Sequence, residues 1–407
     1  MPDPTSPNAV TRGAFLGAIF LMATSAIGPG FITQTATFTA KLGAAFAFAI
    51  LVSVLVDFVV QLNIWRITVL TGRRAAETAN AAIPGAGYLL AVLVIFGGLV
   101  FNIGNIAGTG LGLNALIGLD PKIGGALSAL VAIGIFLSSR AGLLVDRLII
   151  VLGFVMIGLT VFVALVSNPP VGEALRQSVI PATIDFAAIT TIIGGTVGGY
   201  ITYAGAHRLL DKGLAGEANL AAASRAALSG IAVTGVMRFV LFLAILGVVA
   251  SGVTLDLSGK AANPAAQAFL AAAGDLGLRV FGLVLWAAAI TSVVGAAYTS
   301  VSFFTVFRSM DDRARNIATV AFIAVSLVIY LGLGTAPAAL LVFAGGFNGL
   351  ILPIGLSLFI YIGFARSDLM GGHRYNRPLL ILGALTCALT WYMGVKSVGT
   401  IFAFLGT

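Results

Sequence analysis

Apolar stretches long enough to cross a bilayer follow one another along the whole chain, separated by short polar loops. This restricts the fold to a bundle of membrane helices. A hydrocarbon core takes roughly 20 apolar residues per helix, which predicts about eleven spans. Their expected limits are 13–40, 43–66, 85–117, 124–139, 147–167, 183–206, 226–253, 278–305, 316–334, 338–364 and 378–402. A stretch at 262–277 reads as a short surface helix before the eighth span. Composition agrees: 59% of the 407 residues are hydrophobic and 9% are charged, against about 25% charged in a soluble domain. A disordered chain, a disulfide scaffold and an ordinary soluble enzyme are excluded. No loop is long enough for a soluble domain, so residues 1–407 read as one all-α membrane domain.

The net charge of +8 does not point to nucleic acid. Lys and Arg stand singly or in pairs between apolar stretches, the pattern of membrane loops rather than of a phosphate-tracking groove. With the N-terminus placed in the cytoplasm, most of the 22 Lys and Arg residues fall on the inner side, among them Arg66, Arg73, Arg74, Arg208, Arg308, Arg315, Arg366 and Arg377. Lys41, Lys122, Arg176, Lys260, Arg279 and Lys396 fall outside. This bias predicts a multi-pass protein of the plasma (inner) membrane with a cytoplasmic N-terminus. An odd span count puts the C-terminus outside. The short polar N-terminal segment predicts no cleavable signal peptide. The single cysteine, Cys387, makes no intrachain disulfide and reads as packing.

Two spans are interrupted. The first carries Gly28-Pro29-Gly30, where proline lacks an N–H and the glycines release the chain from helical geometry. The sixth carries Gly194, Gly195, Gly198 and Gly199, a weak centre for a helix. Such breaks are either packing kinks or, at matching places five spans apart, the mark of an inverted-repeat transporter with its site between them. Two matching breaks favour the transporter. The second set of five spans then enters the membrane with opposite polarity, with repeats near 13–167 and 183–364 and an additional helix at 378–402.

Unwound backbone in a membrane must line a cavity or meet a ligand. The half-helix beginning near Phe31 offers a positive end to anions. Thr33 and Gln34 follow it. Span three places Asn102, Asn105 and Thr109 on one face, either looking into a central cavity or tying helices together. Gly104, Gly108 and Gly112 offer a close-packing seam. Ala288, Thr291 and Ser292 in span eight have oxygens spaced for one sodium ion, or for hydrogen bonds within their own helix. Asp57 and Arg238 are isolated intramembrane charges, expensive unless paired. They would be symmetry mates, and a mutual structural or gating pair is expected. His207 is expected in a wet loop beside Arg208 and Asp211. No cluster has metal-ligand spacing, and no acid–base pair suggests an enzyme.

The run from Gly28 to Gly72 resembles the first two helices of the Nramp (natural resistance-associated macrophage protein) divalent-metal transporters, closing in Val69-Leu70-Thr71-Gly72. The resemblance continues through NIGNIAGTGLGLNALIG at 102–118 and GGTVGGYITYAGAHRLL at 194–210. It implies the LeuT-type inverted repeat of five plus five helices with one more at the C-terminus, alternating access, and a site between the broken helices. The family's first-helix motif has an Asp before Pro-Gly and an Asn after it. Here Gly28 and Phe31 stand there. Its Met-Pro-His motif is matched by Gly198-Gly199-Tyr200, and its acidic pair in span three by Asn102 and Asn105.

A bare divalent ion needs anionic or several hard oxygen ligands, so these departures lead away from metal. The expected substrate site comprises Gly28, Pro29, Gly30, Phe31, Thr33, Gln34, Asn102, Asn105, Gly195, Gly198, Gly199 and Tyr200, with no resident metal or other cofactor. It suits a small organic solute, a carboxylate or amino-acid derivative. A divergent branch of the family with the phrase Leu21–Gly30 is similar to this chain, and the 5-oxoproline-degrading components its members tend to be encoded beside suggest 5-oxoproline as solute. The alternatives are a divalent-cation transporter holding Mn²⁺ or hydrated Mg²⁺, and a non-transporting scaffold or sensor. Na⁺ or H⁺ is the expected coupling ion. The expected partners are the bilayer and a small molecule, not nucleic acid, with the oligomeric state open.

Overall fold

The computed structural model describes residues 26–137, 141–257 and 262–406. The expected inner half of the first span, residues 13–25, lies outside the described residues. So do Arg140 and Lys260. The described helices are α1 (Pro29–Leu42), α2 (Phe46–Thr71), α3 (Ala75–Ala82), α4 (Ala86–Ile117), α5 (Pro121–Leu137), α6 (Ala141–Val166), α7 (Val171–Val179), α8 (Phe186–Val197), α9 (Ile201–Asp211), α10 (Leu220–Ala250), α11 (Pro264–Val301), α12 (Asp312–Gly332), α13 (Pro337–Ala365) and α14 (Arg377–Ala403).

By length and composition, eight stretches of the described residues are long and apolar enough to cross a membrane, or nine with the α6–α7 pair, which is bent by 105°. One of the eight runs from Pro29 to Thr71 and contains both α1 and α2, and α5 is a shorter apolar helix. The helices are therefore compatible with eleven spans.

The surface is inverted relative to a soluble protein. Leu165, Phe154 and Val395 are 76%, 71% and 69% exposed, whereas Gln34, Asn102 and Asn348 are 0% exposed. Apolar residues outside and polar groups inside are what a lipid solvent selects. The stretch expected as a surface helix is the first part of α11, before a kink at Gly274, whose φ of 66° favours glycine, and it is not superficial: Ala265, Ala266, Ala268 and Phe269 are buried. Two short helices, α3 and α7, were not expected, because a rule tuned to bilayer length passes over segments of eight or nine residues.

Helix ends follow local chemistry. Asp185, Asn263, Asp311 and Asn376 each accept the N–H three residues on, the usual N-cap bond. Pro29, Pro264 and Pro337 open their helices, where a missing N–H costs nothing.

Candidate functional site

Both expected breaks are present. Ala26 is helical, Ile27 and Gly28 are not, and the helix restarts at Pro29. Gly28 is extended (φ −92°, ψ −174°). In the sixth span α8 ends at Val197, and Gly198 (φ −79°, ψ 162°) and Gly199 (φ 53°) carry the chain across to α9. Gly199 takes a left-handed conformation that a side chain resists.

Glycines let neighbouring helices close on the breaks. A Cβ on Gly108 of α4 would lie 2.4 Å from Cβ of Pro29. The seam expected on α4 serves three partners: Gly104 faces Leu341 and Ala344 of α13, Gly108 faces Pro29, and Gly112 meets the backbone of Trp286 on α11. On the other side, a Cβ on Gly194 would lie 1.9 Å from the Gly345 carbonyl oxygen, so α8 and α13 touch through their backbones.

Gln34 joins the elements. Its Nε2 donates to the Leu341 carbonyl at 3.0 Å, and its carboxamide fills the notches at Gly195 and Gly345. Among the described residues its Oε1 has no partner, and neither has Thr33 Oγ1. Thr35 and Thr39 bond back to their own helix. At the second break, Asn105 lies against the Tyr200 hydroxyl, and the Tyr200 ring meets Phe101 edge-on at 5.6 Å. Among the described residues the Asn105 Nδ2 has no hydrogen-bond partner.

One residue at the break escaped the sequence reading. Asn348 of α13 donates to the Gly97 and Ala344 carbonyls at 3.0 and 2.9 Å. Its Oδ1 crowds the place that a Cβ on Gly199 would take, and among the described residues it has no partner. A lone amide among Gly345, Gly346 and Gly349 was the available signal.

Other expected residues spend their hydrogen bonds on partners outside the breaks. Asn102 donates to Ser326 of α12 at 3.1 Å and ties two helices together, while Asn105 reaches the site. Thr109 bonds to the Ile106 carbonyl. Thr291 and Ser292 both donate to the Ala288 carbonyl at 2.9 Å, the within-helix alternative. His207 is not in a wet loop: it is 2% exposed. Its Nε2 accepts the Ala75 N–H at 3.1 Å, and its Nδ1 pairs with Ser302 at 3.0 Å. The short helix α3 covers it.

Asp57 and Arg238 make no direct salt bridge, but the Arg238 charge acts on the Asp57 carboxyl. Arg238 Nη1 donates to the Ile192 carbonyl at 3.2 Å and to Thr196 Oγ1 at 2.7 Å. The Asp57 carboxyl interacts with Thr196 and lies in the field of Arg238. Thr196, one residue before the end of α8, therefore bridges α2 and α10. The guanidinium lies over the Phe31 ring, 4.2 Å from its centroid.

Near α3, the ends of several helices are locked together. Arg74 pairs with Asp211 at 2.6 Å, and Tyr298 donates to the other Asp211 oxygen at 2.9 Å. Thr305 donates to Glu77 at 2.9 Å.

Broken helices that meet around buried polar groups inside an apolar-surfaced bundle define a membrane transporter of the LeuT-type fold. The family model described as natural resistance-associated macrophage protein-like matches residues 19–400, and the chain belongs to the Nramp family. It is 50% identical over 97% of its length to an uncharacterized membrane protein of Haemophilus influenzae, covering 98% of that protein. It is 48% identical over 95% of its length to the uncharacterized membrane protein YcsG of Bacillus subtilis, covering 94% of it. Among solved structures it is similar to a manganese transporter of Eremococcus coleocola, with a TM-score of 0.74 and 17% identity, covering 99% of this chain and 89% of that one. It is also similar to MhsT in complex with L-phenylalanine, with a TM-score of 0.64 and 16% identity, covering 96% and 98%. At such identities the solved structures speak for the fold alone. The chain is thus a multi-pass membrane transporter of the Nramp family, taking a small substrate across a lipid bilayer.

Proposed function

We propose that this transporter works by alternating access in the inner membrane, its N-terminus cytoplasmic, and carries its substrate between the two breaks. Family membership and the manganese transporter among its structural neighbours support divalent-cation transport better than any other cargo. The residues at the breaks support a different cargo, a small organic solute with a carboxylate or amide, of which 5-oxoproline is one. One observation carries that reading. Gly28, Phe31, Gly198, Gly199 and Tyr200 occupy the motif positions, and among the described residues no group of three His, Cys, Asp or Glu side chains could hold a metal. A dehydrated transition ion wants anionic, imidazole or sulfur ligands. What the breaks offer instead is unpartnered amide and hydroxyl atoms on Thr33, Gln34, Asn105 and Asn348, the sparse polar lining that orients an organic ligand. A solved structure of similar fold, MhsT, is in complex with L-phenylalanine, an organic molecule with a carboxylate.

The divalent-cation reading has the family match and the structural neighbour behind it. Hydrated Mg²⁺ keeps several waters, which neutral amides can hydrogen-bond.

Uptake into proteoliposomes decides between them. The organic-solute reading expects accumulation of labelled 5-oxoproline or another small carboxylate without any divalent metal. Saturable Mn²⁺ or Mg²⁺ uptake with no carboxylate uptake would sink it. Replacing Na⁺ by choline tests the coupling ion: lost uptake supports a site at Ala288, Thr291 and Ser292, and equal uptake supports H⁺.

A further inference from the structure

The charged groups least satisfied in the described interior are Arg238 and Asp57, and they flank the breaks. Both are 1% exposed. Arg238 spends Nη1 on α8, and its Nε and Nη2 have no partner among the described residues. Asp57 Oδ1 has none either. Buried donors left open in this way call for a ligand or a second state of the protein.

The open pair of nitrogens is the edge of the guanidinium that binds a carboxylate through two parallel hydrogen bonds. The same chain uses it twice at its surface: Arg176 Nε and Nη2 grip Glu173 at 2.9 and 2.7 Å, and Arg366 Nε and Nη2 grip Asp368 at 2.9 and 2.8 Å. In Arg238 a packed ring lies on one face at 4.2 Å while both nitrogens of that edge lack a partner among the described residues. The ring is Phe31, two residues after the α1 helix restarts, so the fork opens beside the positive end of α1.

We propose that Arg238 is the anchor for the carboxylate of the transported solute, and that Asp57 binds a proton as the carboxylate takes its place, so that carboxylate and proton move together. This rests on the organic-solute reading and names its chemistry. The charge count supports it. With both ionised, Arg238 and Asp57 offset one another, the Arg238 charge acting on the Asp57 carboxyl. A buried charge survives only when compensated. An incoming carboxylate satisfies Arg238 and leaves Asp57 in excess by one negative charge, which one proton on its carboxylate removes. No other bond forms or breaks. Arg238 on α10 is the charged side chain that acts on Asp57, and Thr196 on α8 is its neutral neighbour.

The test uses the purified full-length protein in detergent with four organic probes, 5-oxoproline, lactate, and their neutral counterparts 2-pyrrolidinone and lactamide, together with MnCl₂. Carboxylates are expected to raise the melting temperature, their neutral counterparts not. Arg238→Gln is expected to weaken carboxylate binding at least about 30-fold, the cost of deleting one partner of a buried ion pair. Calorimetry of the wild type in two buffers of different ionisation enthalpy is expected to show about one proton taken up per carboxylate bound. Asp57→Asn is expected to bind carboxylate without that uptake.

Equal carboxylate affinity in wild type and Arg238→Gln overturns the anchor and leaves the organic-solute reading standing. Carboxylate binding by the wild type without proton uptake overturns the role of Asp57. Saturable Mn²⁺ binding with no carboxylate binding, or no binding of any probe, overturns both the reading and the inference. If Arg238→Gln does not fold, Arg238→Lys keeps the charge and loses the fork. Unchanged affinity there counts against the anchor, and the wild-type proton count needs no variant.

Discussion

The carboxamide of Gln34 occupies the place that a side chain on Gly195 would need. A Cβ on Gly195 would lie 2.3 Å from Gln34 Oε1, and Gly345 closes the notch from the other side. Residues from the first, sixth and tenth spans thus share one amide, beside both breaks. Gly195→Ala is expected to displace Gln34 and lower stability by about 1–3 kcal/mol, the usual cost of overpacking. Transport should fall further than stability explains. Gly158→Ala is the control, because a Cβ there meets nothing within 4 Å and alanine favours a helix. Melting temperature and uptake of the two variants, measured side by side, check this.

Gly108 sets how closely α4 approaches the first break. Gly108→Val is expected to push Pro29 away and abolish uptake while the protein still inserts. Normal uptake by that variant would mean that the Pro29–Gly108 contact does not position the break.

The expected and observed architectures agree where the cause is local. Pro29 between two glycines cannot continue a helix, and a bilayer fixes span length, so the breaks and most span limits were legible. Gln34 was legible too, as an amide too costly to leave unpaired. What failed depended on the rotation of helices about their axes. Nothing in the spacing of Asn102 and Asn105 says that one turns to Ser326 and the other to Tyr200. Asp57 and Arg238 stood out as charges, but the bridge through Thr196 needs three helices in register. Asn348 lay in an apolar run with no periodic companions. His207 was misplaced because α3, which buries it, is too short for any span rule.

His207 gives a stability prediction. Accepting the Ala75 N–H through Nε2 leaves the ring proton on Nδ1, facing Ser302, whose own hydroxyl donates to Thr299. His207→Leu strands the Ala75 N–H, and an unpaired buried donor costs about 1–3 kcal/mol. Thermal unfolding in detergent should show the loss. No change in melting temperature would mean that water reaches α3.

The lock at the α3 end predicts a conformational effect. Arg74, Asp211 and Tyr298 join the loop after α2 to the ends of α9 and α11, and the Arg74 and Asp211 side chains are each 17% exposed. An ion pair at a surface contributes little to stability, so Asp211→Asn is expected to leave the melting temperature nearly unchanged. It is expected to open this end of the bundle. In a Cys387→Ala background, a cysteine placed at Ala204 of α9, which is buried, should react faster with a thiol reagent when Asp211→Asn is added. Equal rates would show that the lock does not hold this end closed.

The two asparagines of α4 provide the sharpest separation of packing from binding, since they differ by one turn of the same helix. Asn102 donates its amide to Ser326, so Asn102→Ala removes an interhelical hydrogen bond and is expected to cost about 0.5–2 kcal/mol of stability. The affinity of what remains folded should be unchanged. Asn105 touches Tyr200, and among the described residues its Nδ2 has no hydrogen-bond partner, so Asn105→Ala costs less stability than Asn102→Ala. Its expected effect is weaker substrate binding at nearly constant melting temperature. Paired thermal-shift and uptake curves for the two variants check both halves. A reversed pattern, with Asn102→Ala losing affinity and Asn105→Ala losing stability, would move the binding surface of α4 round to the α12 side and take Tyr200 out of the site.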